Sequence, residues 1–284
     1  SIVIRRLLRR VLLTSAMPPK GTVGSAFIEM RLKALMKMGD FDAGLKLVNA
    51  VPRKSRAGLI RKLEMELHLI SGNSTEACAM VASEVTHRLD SLWQKALVYC
   101  ALLAGETSRA ELGVSLLQEK EDGDPAFLTV AQGILDDQPK LPEITDSLDV
   151  LNIAMLKLAK LEVPISILRK YPAALITTST NTGTLERLDA IEIAAEYGLL
   201  SDSELRKRYL AALPSSDSFQ YDKEEVITSL DRGLLYLKAM ENNIPMAKAE
   251  VLERVMGSAR SSGRMGGVAR LFSPVIKSMT PEND

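Results

Sequence analysis

Three glycines at a fixed spacing of 33 residues, Gly39, Gly72 and Gly105, each close an apolar helical run, and they constrain the chain to a repeating pair of helices. The segments align without gaps as Leu35-Met-Lys-Met-Gly39-Asp-Phe-Asp-Ala-Gly44, His68-Leu-Ile-Ser-Gly72-Asn-Ser-Thr-Glu-Ala77 and Ala101-Leu-Leu-Ala-Gly105-Glu-Thr-Ser-Arg-Ala110. Glycine suits the left-handed backbone that ends a helix. Asp40, Ser74 and Thr107 or Ser108 then offer a side-chain oxygen to the free N–H groups of the next helix. Gly44, Ala77 and Ala110 are small enough to let two helices approach closely.

Neither helix of such a hairpin buries its apolar stripe alone, so hairpins must stack and share a core. The period is one short of the 34 residues of the tetratricopeptide repeat, although that family's usual Trp, Tyr and Pro positions are missing. The expected fold is therefore all-α, an α-solenoid or superhelix of stacked antiparallel hairpins of tetratricopeptide-like type, with a less regular helical second half. A chain of 284 residues that is 46% apolar and only 4% aromatic suits this class, since Leu, Ala, Met, Lys and Glu favour helix over strand. No segment alternates as a strand would. The longest uncharged apolar runs, such as Ala96 to Ala104, fall far short of the eighteen or so residues of a membrane span, so a soluble chain is expected.

Residues 1–24 read as a basic amphipathic helix and a turn. Ile4, Leu7, Leu8, Val11 and Leu12 share one helical face, Arg5, Arg6, Arg9 and Arg10 the other, and no acid precedes Glu29. The ordinary role of such a helix is to cap the array with its stripe buried; the alternative is contact by the four arginines with a partner or an anionic membrane surface. Arginines interrupt the apolar run, unlike a signal peptide. A chain that opens at Ser1 rather than Met is expected to be trimmed from a longer one. Met17-Pro-Pro-Lys-Gly21 then breaks the helix.

Residues 25–135 carry the hairpin repeats. Helices are expected near Ser25–Met38, Phe41–Ala50, Arg56–Ile70, Thr75–Arg88, Ser91–Ala104 and Ser108–Glu119, with capping boxes at Ser91–Gln94 and Ser108–Glu111, followed by a short helix to about Leu135. Asp136 to Pro142 is the expected internal boundary. Residues 143–284 form a second helical region, separate from the first or continuous with it, with helices near Asp146–Leu161, Pro164–Lys170, Pro172–Thr177, Leu185–Tyr197, Asp202–Leu213, Lys223–Glu241, Pro245–Met256 and Ala259–Phe272. Ser201–Glu204 and Asp222–Glu225 mark two starts, and Thr177 to Thr184 is a polar loop and second hinge.

The net charge is zero but uneven: eleven acids face three bases from Glu106 to Asp149, while Arg254 to Lys277 holds five bases and no acid. Such polarity can steer a partner, although charged helix faces mostly serve solvation. Basic residues are not interleaved with aromatics and the pI is about 6.8, which argues against nucleic acid. Chemistry is sparse. His68 and His87, the only histidines, lie nineteen residues apart, so neither a metal site nor a histidine-based triad is indicated. Gly263-Arg-Met-Gly-Gly267 lacks the features of a phosphate cradle. Glu64 and Glu66 cannot be assigned as an acid–base pair, and Trp93 is expected in the core. No catalytic, cofactor or metal residue is therefore assigned.

Cys78 and Cys100 fall on consecutive antiparallel helices, each about eleven residues from the turn at Leu89 and Asp90, so a disulfide is feasible if both face the seam. Two buried free thiols are the equal alternative. A bond would place the protein outside the reducing cytosol.

Leu92-Trp-Gln-Lys-Ala-Leu-Val-Tyr-Cys-Ala-Leu-Leu-Ala-Gly-Glu106, Ala110 to Leu117 and Asp124-Pro-Ala-Phe-Leu128 resemble a family of uncharacterised alphaproteobacterial all-helical proteins. The Gly39-Asp40 and Gly72 hairpins and Cys78 fit it too. The resemblance covers roughly residues 8 to 135, with a weaker echo at Arg270-Leu-Phe-Ser-Pro274. It implies an all-helical fold, a cell-envelope location and members that run past both ends of this chain, and it carries over no catalytic residue. The expected function is a non-enzymatic scaffold or adaptor that holds a protein or peptide partner on its repeat surface in the periplasm, with the cytoplasm as alternative. Two other readings are a helical module of a cell-wall-processing enzyme whose catalytic part is elsewhere, and an adaptor tethered to a membrane surface. No cofactor is expected.

Overall fold

The computed structural model describes residues 2–18, 20–21, 24–87, 89–120, 124–143, 148–161, 184–213 and 228–279. Among these the chain is all-helical, with fifteen α-helices, one short 3-10 turn and no strand. It divides into two compact units, Leu8–Asn181 and Thr182–Asp284 together with Ser1–Leu7. Helices expected at Pro164–Lys170 and Pro172–Thr177, the polar loop from Thr177 as far as Gly183, and the start at Asp222–Glu225 lie outside the described residues.

The first unit takes in the end of α1 (Ile2–Leu13), then α2 (Gly24–Lys37), α3 (Phe41–Ala50), α4 (Leu59–Ile70), α5 (Ser74–Ser83), α6 (Ser91–Ala104), α7 (Thr107–Gln118), α8 (Pro125–Leu135) and α9 (Val150–Leu158). Gly39, Gly72 and Gly105 all adopt the left-handed backbone, with φ of 70°, 80° and 73°. At each, the N–H of the following residue donates back across the turn: Asp40 to Leu35 O at 2.9 Å, Asn73 to His68 O at 2.8 Å and Glu106 to Ala101 O at 2.9 Å. One backbone device is thus used three times at the repeat spacing, and it satisfies carbonyls that a helix end leaves unpaired.

The caps differ from expectation in two of the three repeats. Asp40 does cap α3, accepting from Ala43 N. Helices α5 and α7 instead begin at the residues expected to cap them, Ser74 and Thr107, which are therefore already inside the helix, and neither start has a side-chain cap bond. At α6 the cap is Asp90, which accepts from Leu92 N, so Ser91 is already inside the helix. Helix α5 stops at Ser83, short of Arg88, because the buried carboxylate of Glu84 accepts from Thr86 N and His87 N and folds the chain into a turn.

Consecutive helices from α2 to α8 pack on one another, and α2 also meets α4, and α6 meets α8. Leu32, Leu35, Phe41, Leu47, Val48, Ile60, Leu63 and Leu67 form a continuous core, with Leu12 and Leu13 against its edge. Gly44 permits close approach as expected: a methyl there would lie 2.8 Å from Leu67 Cδ2 on α4. Asp136 to Pro142 is no boundary between packed regions, because α9 beyond it packs on α4, α6 and α8, and its Val150 and Ile153 join the α2–α4 core.

The second unit holds α10 (Thr184–Glu196), α11 (Asp202–Ala212), α12 (Ser229–Glu241), α13 (Pro245–Ser261), α14 (Met265–Leu271) and α15 (Ser273–Lys277). Helix α10 is its hub, in contact with α11, α12 and α14. The glycine turn recurs at Gly198 and Gly263, with φ of 71° and 69°. Helix α13 runs through Gly257, where a break was expected, since a glycine alone costs a helix only about 1 kcal/mol. Ser201 caps α11 as expected, accepting from Glu204 N.

Candidate functional site

The most organised polar cluster of the first unit sits where α9 lies across α4, α6 and α8. Lys95, near the start of α6, is almost fully buried and donates to Asp124 Oδ2 at 2.9 Å and Asp149 Oδ2 at 2.5 Å. Both acids are helix caps. Asp124 Oδ1 accepts from Ala126 N and Phe127 N at the start of α8, and Asp149 Oδ1 accepts from Asn152 N at the start of α9. The Asn152 side chain in turn donates to Asp124 Oδ2 at 2.9 Å. The Lys95 ammonium also stands 5.6 Å from the centre of the Phe127 ring. One cation thereby fastens the starts of two helices that are separated by a long connection to the body of a third.

The charge states follow from this geometry. Burial alone would lower the Lys95 pKa, but its hydrogen bonds and charge contacts with Asp149 and then Asp124 outweigh it and raise the value. Burial pushes Asp124 up, and the bonds from Lys95, Asn152 and Phe127 N overturn this and lower it. Glu66 on α4 behaves oppositely. Burial, reinforced by the charge of Asp149 and only partly offset by Lys62 and Lys95, pushes its carboxyl up to about 7. Lys62 pairs with Asp90, the cap of α6.

The buried face of α9 itself completes the contact. Leu151, Met155 and Leu156 of α9 are buried, as is Asn152, so the helix presents an apolar face with one amide and is preceded by a carboxylate. Such a seat can hold a short amphipathic helix by apolar contact and fix its direction by charge. Among the described residues no group of His, Cys, Asp and Glu is placed to hold a metal ion.

The residues singled out in the sequence fall elsewhere. Cys78 on α5 and Cys100 on α6 are joined by a disulfide, with Cα atoms 5.6 Å apart. Closing a loop of this length restricts the unfolded chain by about 3 kcal/mol. Arg5, Arg6, Arg9 and Arg10 lie on one side of α1, but Arg9 pairs with Asp40 at 3.4 Å, while Arg6 and Arg10 are exposed. The apolar stripe of α1 is not buried as a capping helix would require, since Val3, Ile4, Leu7, Leu8 and Val11 are exposed. Trp93 is in the core. His68 and His87 occupy α4 and the loop before α6, and His87 Nδ1 meets Glu84 at 3.2 Å. Glu64 pairs with Arg56 at 2.6 Å and is not joined to Glu66.

In the second unit a buried ionic knot holds α10 to its neighbours. Glu192 accepts from Arg232 through both carboxylate oxygens, at 2.8 and 2.5 Å, and from the Tyr209 hydroxyl at 2.8 Å. Tyr209 also approaches Ser229 O, and Arg264 reaches Glu192 at 3.6 Å. Burial and then the Glu192 charge raise the Tyr209 pKa well above the usual phenol range. The Gly263–Gly267 motif serves this packing rather than a phosphate. A methyl on Gly267 would stand 2.9 Å from both Glu192 O and Glu196 N, and its N–H donates to Glu196 Oε2 at 2.7 Å.

No family model, curated protein or solved structure matches the chain.

Glu66 gives a pH test. In the folded chain its carboxyl keeps a proton up to about pH 7, whereas the unfolded chain releases it in the ordinary carboxylate range. The folded state binds the extra proton between these limits, so this group's contribution to stability falls as pH rises through them. Relative to wild type, Glu66→Gln should gain about 1–2 kcal/mol at pH 8 and nothing at pH 4, because part of the full penalty is screened by solvent. Urea unfolding of both chains at the two pH values checks this, and an equal difference at both would contradict it.

Proposed function

We propose that the chain is a non-enzymatic scaffold or adaptor whose hairpins stack as a tetratricopeptide-like α-solenoid and whose α4–α6–α8 row binds a short amphipathic helix from a protein or peptide partner. The observation that supports this reading is α9. It lies on that row with an apolar face down and an acidic cap on Lys95, and it shows in cis the chemistry an external segment would need. An incoming helix would present Leu or Met at the spacing of Leu151 and Met155 and a carboxylate before its first turn. Glu192, the most buried carboxylate beyond Asp146 among the described residues, is committed to Arg232 and Tyr209, and so lends no support to a catalytic module.

The Cys78–Cys100 bond supports a location in an oxidising compartment such as the cell envelope. Among the described residues no helix is long and apolar enough to cross a membrane.

The groove is tested by evicting α9. A chain carrying Leu151→Ser and Met155→Ser, with helicity checked by circular dichroism, should bind a fluorescent peptide of residues 148–161 saturably, and at least about tenfold more tightly than wild type, whose site is filled. A folded variant that ignores the peptide would contradict the reading. Location is tested separately by thiol labelling of protein taken from its host without reductant. Labelling of Cys78 and Cys100 only after reduction is expected, and labelling after denaturation alone would place the protein in the cytosol.

A further inference from the structure

Helix α1 is mounted with its apolar stripe outward. Val3, Ile4, Leu7, Leu8 and Val11 are 45–67% exposed, and at about 100° per residue they fall within one arc of roughly 140°. From Leu8 on, the helix is held to the first unit by its other side and its last turn, while its residues up to Leu7 group with the second unit. Arg9 pairs with Asp40, Leu12 and Leu13 pack against the α2–α4 core, and the Arg31 guanidinium donates to Leu12 O at 2.5 Å and Thr14 O at 2.6 Å. Arg31 thus takes up carbonyls that the end of α1 leaves free. The result is a helix anchored through its last turns that leaves five large apolar side chains in water.

A row of this size is costly to leave uncovered, and its surroundings say what covers it. Exposed Arg10 and Arg6 stand beside the stripe, Lys20 follows, and no acid occurs before Glu29. A neutral apolar protein groove would cover the stripe but make no use of the charges beside it. An anionic lipid surface uses both at once: apolar side chains enter the boundary between headgroups and acyl chains, while arginines at the edge of the stripe stay among the phosphates.

We propose that α1 is a membrane-surface docking helix that lies in plane on anionic phospholipid. Ile4, Leu7, Leu8 and Val11 insert, and Arg6 and Arg10 pair with headgroup phosphates. Arg9 is reserved for Asp40 and ties the helix to the first unit. This inference is independent of the groove on α4, α6 and α8.

The test is co-sedimentation of the 284-residue chain with vesicles of phosphatidylcholine alone or with about a third phosphatidylglycerol. Binding to the anionic vesicles, weakened by salt and at least about tenfold stronger than to phosphatidylcholine, is expected. Ile4→Ser with Leu7→Ser and Val11→Ser should abolish it, and Arg6→Glu with Arg10→Glu should reduce it at least about tenfold. All changed side chains are solvent-facing, so circular dichroism and the melting temperature should stay at wild-type values. Absence of binding, equal binding to both vesicles, or binding unaltered in either variant would overturn the proposal. Concentration-dependent dimerisation through Ile4, Leu7 and Val11 without vesicle binding would also overturn it, and would assign the stripe to a second copy.

Discussion

The ammonium of Lys95 is the point on which the first unit depends, because it satisfies two helix caps that are far apart in sequence. Removing it would leave Asp124 and Asp149 close together, half-buried and uncompensated, beside a Glu66 already crowded enough to hold its proton near neutrality. Losing one partner of such a buried arrangement typically costs about 3–5 kcal/mol, more than the pair itself contributes over an apolar replacement. The network is therefore better understood as a device that fixes where α9 sits than as a source of stability. Apolar contact along Leu151, Met155 and Leu156 holds the helix down, and charge fixes its direction and register.

The same division of labour holds in the second unit with different residues. Glu192 gathers Arg232, Tyr209 and Arg264 around α10, while Gly267 lets α14 come within backbone contact of it. Among the described residues, each unit thus combines an apolar core with a buried ionic cluster that joins helices whose apolar faces alone would tolerate several arrangements.

Much of the fold was legible in the sequence because its signals are local. Glycine with φ near +70° needs no information beyond its own turn, so Gly39, Gly72 and Gly105 fix three helix ends and the helical class. Cap assignments fared worse where two polar residues compete: Asp90 displaces Ser91 at α6 because its carboxylate also pairs with Lys62, a contact 28 residues away. The candidate site was hardly legible at all. Lys95 reads as one charged position in an apolar helix, Asp124 as one of the many acids between Glu106 and Asp149, and Asp149 as a residue inside the helix expected over Asp146–Leu161 rather than the cap of one. Only the packing of α9 across α4, α6 and α8 brings the three together, and nothing in local periodicity encodes it. The stripe on α1 was fully visible as a pattern. Which side of it faces the protein was not, because Arg9–Asp40 and the Arg31 clamp are tertiary contacts.

If α9 is a docked ligand-like element rather than part of an indivisible core, it must open without the rest of the unit. Native-state hydrogen exchange, read helix by helix, measures this directly. The account predicts that amides of α9 exchange through an opening at least about 2 kcal/mol cheaper than those of α4 and α6, and that Lys95→Met widens this gap while α4 and α6 keep their order. Exchange of α9, α4 and α6 at one common free energy, shifted together by Lys95→Met, would contradict it and make α9 an ordinary core helix.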